Sequence, residues 1–295
     1  MDGIINVYKE KGFTSFDVVA KLRGILKTKK IGHTGTLDPM AEGVLPVCVG
    51  SATKVCALLT DKDKEYVTTF KLGVSTDTQD ITGTVISERE VTVTEDEIRG
   101  CIKSFVGTIE QLTPMYSARK VNGKKLYEYA REGVEVERKV KNVKIYSIND
   151  IVVDMDNFLV SMRVECEKGT YIRTLCNDIG EKLGCGACMT ELLRTRVDMF
   201  LLENAMKLSD IELIAKGDRI DACILNTDVL FLTYRKLYYG DEIEKYVLNG
   251  NKLLVSNFKT DISEGEKVRL YSKDEKFTAI YQREGEYLKV VAMFM

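Results

Sequence analysis

The sequence predicts a two-domain α+β chain, a larger unit over residues 1–232 followed by a small β-barrel over 233–295. Three observations lead there. Strand-period alternation runs through Tyr66, Thr68, Phe70 and Leu72, and again through Phe158, Val160, Met162, Val164 and Cys166. Helix-period apolar residues follow good N-caps, as Phe16, Val19, Leu22 and Leu26 do behind Thr14 or Ser15. After Leu232 the texture changes to short alternating runs split by Gly240, Gly250, Gly265 and Gly285, which is how a small barrel reads. The chain has 295 residues, 44% of them hydrophobic, enough to bury a sizeable core.

In order, Gly3 to Tyr8 is an apolar run that reads as a strand, with Lys9 at the mouth of the loop that follows. The helix from Thr14 or Ser15 ends in a basic turn. Val44 to Val49 is an unbroken apolar run, as in a buried strand, and Ser51 to Leu59 reads as a helix. Asp63-Lys64-Glu65-Tyr66 opens the first alternating strand. Ser75 to Asp80 with Gly83 lacks the spacing and terminal Glu of a calcium loop and predicts a tight turn held by side chains. Thr94-Glu-Asp-Glu97 is a capping box for a helix ending near Gly107. Lys168 to Arg173 turns from the second alternating strand into a helix reaching about Leu183, and Ser209 to Glu212 starts another.

The formal net charge of −2 is not that of a strongly basic nucleic-acid protein, but local charge differs from the total. Lys21, Arg23, Lys27, Lys29 and Lys30 occur in residues 20–30 without an acid, and residues 117–146 hold nine Lys or Arg against four Asp or Glu. Such segments form phosphate-binding faces or, more commonly, solvated surfaces. The eight cysteines lie mostly in apolar patterns and predict reduced, buried thiols in the cytoplasm. Cys185-x-x-Cys188 has no second pair and no nearby histidine, which argues against zinc. No run approaches a membrane span, no targeting signal is evident, and no glycine motif for a phosphate-bearing cofactor is present.

Special residues concentrate in Ile31 to Gly50, which holds the only histidine, His33, and two of the three prolines. Pro39 fixes its own φ and pushes Asp38 toward an extended conformation, giving a shaped loop braced by the strand after it. Asp38 there can be a nucleophile, a general base or a cation partner. On the loop alone, closing a turn is the commoner role of an Asp-Pro pair.

Gly32-His33-Thr34-Gly35-Thr36-Leu37-Asp38-Pro39 resembles, over its full length, the motif around the catalytic aspartate of the bacterial TruB family of RNA pseudouridine synthases. Other stretches resemble that family's further motifs: Lys9 in the first, Asp63 to Tyr66 in the second, Lys168 to Arg173 in the third, and Leu192-Leu193-Arg194 downstream. Pro114 to Lys120 and Gly123 to Gly133 resemble a segment, about residues 107–140, with which bacterial members grip the T arm of tRNA. Its lysines and arginines alternate with Tyr116, Tyr127 and Tyr129, supplying charge for phosphates and rings for bases.

The resemblance implies a mixed, mostly antiparallel sheet of the pseudouridine synthase fold with a C-terminal PUA-like RNA-binding barrel. It implies isomerisation of the T-loop uridine of tRNA, position 55 in tRNA numbering, to pseudouridine on a flipped-out base, with no cofactor, no metal and no guide RNA, by a monomer. Asp38 is then the nucleophile, Arg173 its cationic partner and Tyr66 the residue that stacks on the base. Lys9, His33, Leu192, Lys124 and Lys125 are expected at the substrate. The rival readings are a non-catalytic tRNA-binding protein or RNA chaperone, and a glycosidase pairing Asp38 with Glu42.

Overall fold

A computed structural model of the chain describes residues 1–294. The first half contains strands β1 (Gly3–Lys9), β2 (Ile31–His33), β3 (Glu42–Val49), β4 (Lys64–Leu72), β5 (Val74–Thr76), β6 (Val85–Glu88), β7 (Gly107–Leu112), β8 (Lys120–Val121) and β9 (Lys124–Lys125). Between them run helices α1 (Ser15–Leu26), α2 (Cys56–Thr60) and α3 (Glu95–Lys103), with α4 (Leu126–Arg131) after β9. Then come β10 (Val140–Asp154), β11 (Leu159–Cys166), α5 (Ile172–Lys182), β12 (Ala187–Val197), β13 (Phe200–Leu201) and α6 (Leu208–Lys216). The last part is β14 (Arg235–Tyr238), α7 (Asp241–Leu248), β15 (Leu253–Leu254), β16 (Lys267–Tyr271), β17 (Phe277–Glu284) and β18 (Tyr287–Met293).

The main sheet runs β1-β3-β12-β4-β11-β10-β7, and every pairing on that path is antiparallel except β12 with β3. This is the mixed, mostly antiparallel α+β architecture expected. The alternation in β4 and β11 is realised strictly: Tyr66, Thr68, Phe70 and Leu72 are buried, as are Val160, Met162, Val164 and Cys166, and α3 and α5 cover that face. In β3 both faces are buried, which explains its unbroken apolar run. Leu45, Val47 and Val49 pack under α1 and α6, while Val44 and Cys48 face a second cluster on the other side.

Three local expectations change. Ser51 to Leu59 is not one helix but a 3₁₀ segment, Gly50–Val55, followed by the short α2, and Thr53 Oγ1 caps the Gly50 carbonyl inside that tighter turn. Helix α3 stops at Lys103, before Gly107, where Ser104 Oγ takes the Cys101 carbonyl. Phe158 is not part of β11; its φ of 53° belongs to the turn that precedes the strand.

The C-terminal strands form a five-stranded sheet, β14-β16-β17-β18-β15, whose two ends do not pair with each other, so it is a curled half-barrel. It has its own core of Leu237, Ile243, Val247, Val268, Leu270 and Tyr281. A different cluster joins it to the main sheet. Phe231, Ile280 and Phe294 pack with Ile4, Val44, Cys48, Ala52 and Leu59, and the Phe277 and Phe294 rings stack at 4.9 Å. Ser51 Oγ and Lys54 Nζ donate to the carbonyls of Phe294 and Met293 at 3.1 and 2.8 Å.

Candidate active site

The segment from Thr34 to Ala41 is pinned at both ends. Thr34 directs both its N–H and its Oγ1 to the Pro46 carbonyl, at 3.1 and 3.0 Å, and Leu37 N–H donates to Ser15 Oγ at 2.9 Å, tying the loop to the first turn of α1. Leu37 is buried beneath, and the Ala41 N–H closes a turn on the Asp38 carbonyl at 3.0 Å. Beyond it, Gly43 lies where β3 meets β12 in parallel: its φ is 105°, and a Cβ there would stand 2.2 Å from the Arg194 carbonyl oxygen. Only glycine permits that approach. The loop is thus clamped from both sides with Asp38 at its turn.

Arg173, in the first turn of α5, meets Asp38 there. Its Nε lies 2.9 Å from Asp38 Oδ2 and its Nη2 donates to Oδ1 at 3.3 Å, a two-point contact along one edge of the guanidinium. The remaining hydrogens are also engaged. Nη2 donates to the Tyr116 carbonyl at 2.7 Å, and Nη1 to the Thr78 carbonyl at 2.9 Å and to Asp80 Oδ2 at 3.5 Å. The four Nη hydrogens are all used and Nε lies against the Asp38 carboxylate, so the plane of the guanidinium is fixed by groups from three separate loops. Asp80 is held in turn by Thr78 and Thr82 hydroxyls at 2.9 and 2.5 Å. Surrounding protein desolvates the Asp38 carboxyl and raises it above the ordinary carboxylate range; Asp80 adds to that, while Arg173 and Lys9 pull it back.

Asp38 and Arg173 border a cavity of about 480 Å³, also lined by Tyr66, Leu192, Tyr171, Lys64 and Arg194, with Ser117 to Arg119 along one edge. That is within the range of small-ligand sites. Asp38 is the one carboxylate among the lining residues. Tyr66, third residue of β4, is buried, and burial pushes its hydroxyl up to about 12 despite the Arg194 guanidinium beside it. Arg194 is sealed beneath the floor, donating to the carbonyls of Val44 at 2.7 Å and Gly35 at 3.3 Å.

Asp38, Tyr66, Arg173 and Leu192, widely separated in sequence, therefore line one cavity. The other expected residues lie elsewhere. Lys9 is fully buried behind the loop, its ammonium donating to the carbonyls of Ala41, Pro39 and Glu10 at 2.6, 3.3 and 3.2 Å, so it braces the loop. His33 sits in β2 opposite Val47 and does not line the cavity; burial lowers its basicity, and its buried Nδ1 has no partner. Lys124 and Lys125, in the small hairpin strand β9, lie outside the lining, Lys124 paired with Glu132 and over the Tyr129 ring. Among the described residues no three His, Cys, Asp or Glu side chains are grouped to hold a metal, and Cys185 and Cys188 are both buried as free thiols.

Sequence reasoning missed Asp80, Lys64 and Arg194. Asp80 was hidden in a Thr- and Asp-rich turn, although an acid in a turn already crowded with hydroxyls was a visible signal. Arg194 follows two leucines on a strand, and an arginine inside an apolar run marks a cation that must find buried acceptors.

Residues 23–172 match the family model described as TruB family pseudouridylate synthase (N terminal domain), and residues 173–231 match the tRNA pseudouridylate synthase B C-terminal domain. The chain is 52% identical over 292 residues to a tRNA pseudouridine synthase B of Lachnoclostridium phytofermentans, covering 96% of this chain and 95% of that one. It is 44% identical to the protein of that name from Clostridium novyi, over the full length of both. Among solved structures, an H/ACA RNP bound to a substrate RNA containing 2′-deoxyuridine includes a chain that superposes with a TM-score of 0.71 at 28% identity, covering 99% of this chain and 85% of that one. A Cbf5-Nop10-Gar1 complex gives 0.71 at 30%, with the same coverages. With its motif loop, its sheet order and both family models in agreement, the chain belongs to the TruB family of pseudouridylate synthases.

Proposed function

We propose that the chain isomerises the T-loop uridine of tRNA, position 55 in tRNA numbering, with Asp38 as the nucleophile. Uridine-to-pseudouridine conversion in tRNA is the activity its family membership carries. The observation that supports the assignment of Asp38 is its carboxylate, fixed by a two-point guanidinium contact at the edge of a cavity with no other carboxylate.

The reaction breaks the bond between C1′ and N1, turns the base and forms a bond between C1′ and C5; C5 loses a proton and N1 gains one. No net oxidation occurs. The reacting atoms are inaccessible in a stacked strand, so the uridine must leave its stack for the cavity. Arg173 keeps Asp38 charged and aimed, and because its guanidinium cannot rotate, little reorganisation is needed when charge shifts during attack. Tyr66 offers its ring to the base. A hydroxyl pushed to about 12 holds its proton at neutral pH, which favours stacking over proton abstraction as its main task. Leu192 supplies an apolar wall.

The basic, tyrosine-bearing segment at residues 107–140 would lie along the T arm, and the C-terminal half-barrel would take a further part of the RNA. We place the reaction in the cytoplasm with the protein acting as a monomer and without a guide RNA, since one chain carries both the cavity and the basic segments. A non-catalytic tRNA-binding role leaves the Asp38–Arg173–Asp80 arrangement without a purpose. A glycosidase needs a second carboxylate across the bond, and Glu42 is outside the cavity lining, accepting from Tyr8 at 3.2 Å.

Purified protein incubated with unmodified tRNA transcript, followed by pseudouridine mapping at single-nucleotide resolution, tests the proposal. One modified position in the T loop is expected. Modification only elsewhere would overturn the substrate assignment, and none at all would favour the binding role.

A further inference from the structure

The cavity contains more buried positive charge than Asp38 uses. Lys64, first residue of β4, lines it and is only 6% exposed. Its ammonium donates to the carbonyls of Lys62 at 2.5 Å and Thr60 at 3.0 Å, which leaves one of three hydrogens unassigned, and no carboxylate lies within ion-pair distance. The acids nearest in sequence are committed elsewhere: Glu65 to Arg163 at 2.9 Å, Asp63 to the Tyr146 hydroxyl at 3.1 Å and Asp61 to Lys168 at 2.9 Å. Directly beside Lys64 is Arg194, which is also fully buried and also satisfied only by carbonyls and Tyr66.

Two adjacent cations, each removed from water and neither paired with an acid, are costly to fold around. Proteins keep such charge where an anion arrives. The strain is visible in Lys64 itself: burial first, then the Arg194 charge, lowers its ammonium to about 8, with Cys166 and the distant Asp61 and Asp63 offering only weak opposition. Arg173 has no donor to spare, and Lys9 is closed off behind the loop. Lys64 is a buried cation of the cavity wall with a free donor, whereas Arg119, also in the lining, is exposed to solvent at its edge.

We propose that Lys64, backed by Arg194, is the anchor for a backbone phosphodiester flanking the flipped uridine. The anchor rests on the reading of the cavity as the uridine site. It would hold the nucleotide by its backbone while Tyr66, two residues along the same strand, meets the base; residues two apart on a strand share a face. A charge-assisted bond of this kind acts on ground-state binding and on the persistence of the extruded nucleotide, not on the bond-making atoms. Lys64 is therefore a positioning residue.

The test is a double-mutant cycle on short T-arm RNAs in which one phosphate at a time, on either side of the target uridine, is a neutral methylphosphonate. With the parent protein, one substitution should weaken KM ten- to a hundredfold while the saturated single-turnover rate stays within about threefold. With Lys64→Met, KM for unmodified RNA should rise as far, and that same methylphosphonate should add less than about twofold. Lys64→Arg should restore most of the loss. Equal methylphosphonate penalties in parent and variant at both positions would overturn the anchor. Should Lys64→Met fail to fold, the parent protein with the two methylphosphonates decides alone, since neither having an effect also overturns it. If the parent forms no pseudouridine on unmodified RNA, the reading of the site falls and not merely the anchor.

Discussion

Replacing Arg173 with Gln removes a single charge and tests the centre of the site. At about 4 Å and an effective dielectric near 20, two unit charges attract by about 4 kcal/mol. The Asp38 side chain is 37% exposed, so solvent screening reduces this to about 1–2 kcal/mol. At 1.36 kcal/mol per unit, Asp38 should titrate about one unit higher without the guanidinium. The sign is fixed, because desolvation already raises this carboxyl and Arg173 is the largest influence opposing it. With Asp38 as the proposed nucleophile only its ionised form attacks, so the acid limb of the single-turnover rate should move up by about one pH unit. Below it the rate falls about tenfold per unit. Arg173→Lys separates charge from geometry: the acid limb should remain near that of the parent, while the plateau drops by at least tenfold because an ammonium cannot make the two-point contact. Rates from pH 4 to 9 on a T-arm RNA read both quantities. An acid limb unmoved in Arg173→Gln would refute the argument that this ion pair sets the ionisation of Asp38.

Asp38→Asn should abolish turnover while leaving tRNA affinity within about tenfold, as measured by filter binding alongside single-turnover rates; near-normal rates would end its assignment as nucleophile. Tyr66→Phe should keep turnover within about tenfold and Tyr66→Ala should not, whereas a Phe variant as inactive as Asp38→Asn would give the hydroxyl an obligatory proton transfer. Burial depresses both Lys9 and Lys64 to about 8, so each loses charge as pH rises through that value, and kcat/KM should fall above it. Lys64→Arg should carry that limb upward, and an identical limb in both proteins would exclude Lys64 as its source. For Lys124→Ala with Lys125→Ala, each lost phosphate contact should flatten the slope of log affinity against log salt by about 0.7–0.9, and an unchanged slope would remove this hairpin from the RNA surface.

Much of this was legible in sequence because local rules and global packing agree there. The capping box at Thr94 forms as read, with Glu97 N–H donating to Thr94 Oγ1 at 3.4 Å, and β4 and β11 bury the residues their alternation selects. Asp38 and Arg173 were legible as partners only through family resemblance, since no spacing rule links residues that far apart. Lys9 could not be placed: a lysine after an apolar strand looks solvent-bound, and only the returning loop shows that three carbonyls enclose its ammonium. The C-terminal sheet also reads as a separate unit along the chain. In space, removing residues 233–295 would uncover Ile4, Val44 and Cys48 in addition to any effect on RNA binding.

The seat of Phe294 has a consequence for how the protein is made. The strand that follows the Asp38 loop is complete by Val49, yet one of its faces is roofed in part by Ile280 and Phe294. At about 5–20 residues per second, synthesis reaches that roof roughly ten to fifty seconds after the strand itself. For that interval Val44 and Cys48 lack part of their cover on the nascent chain, and the helices on the opposite face offer no substitute. The Asp38 loop is written early and supported late: one face of its supporting strand is fully covered only when the last residues of the chain are in place.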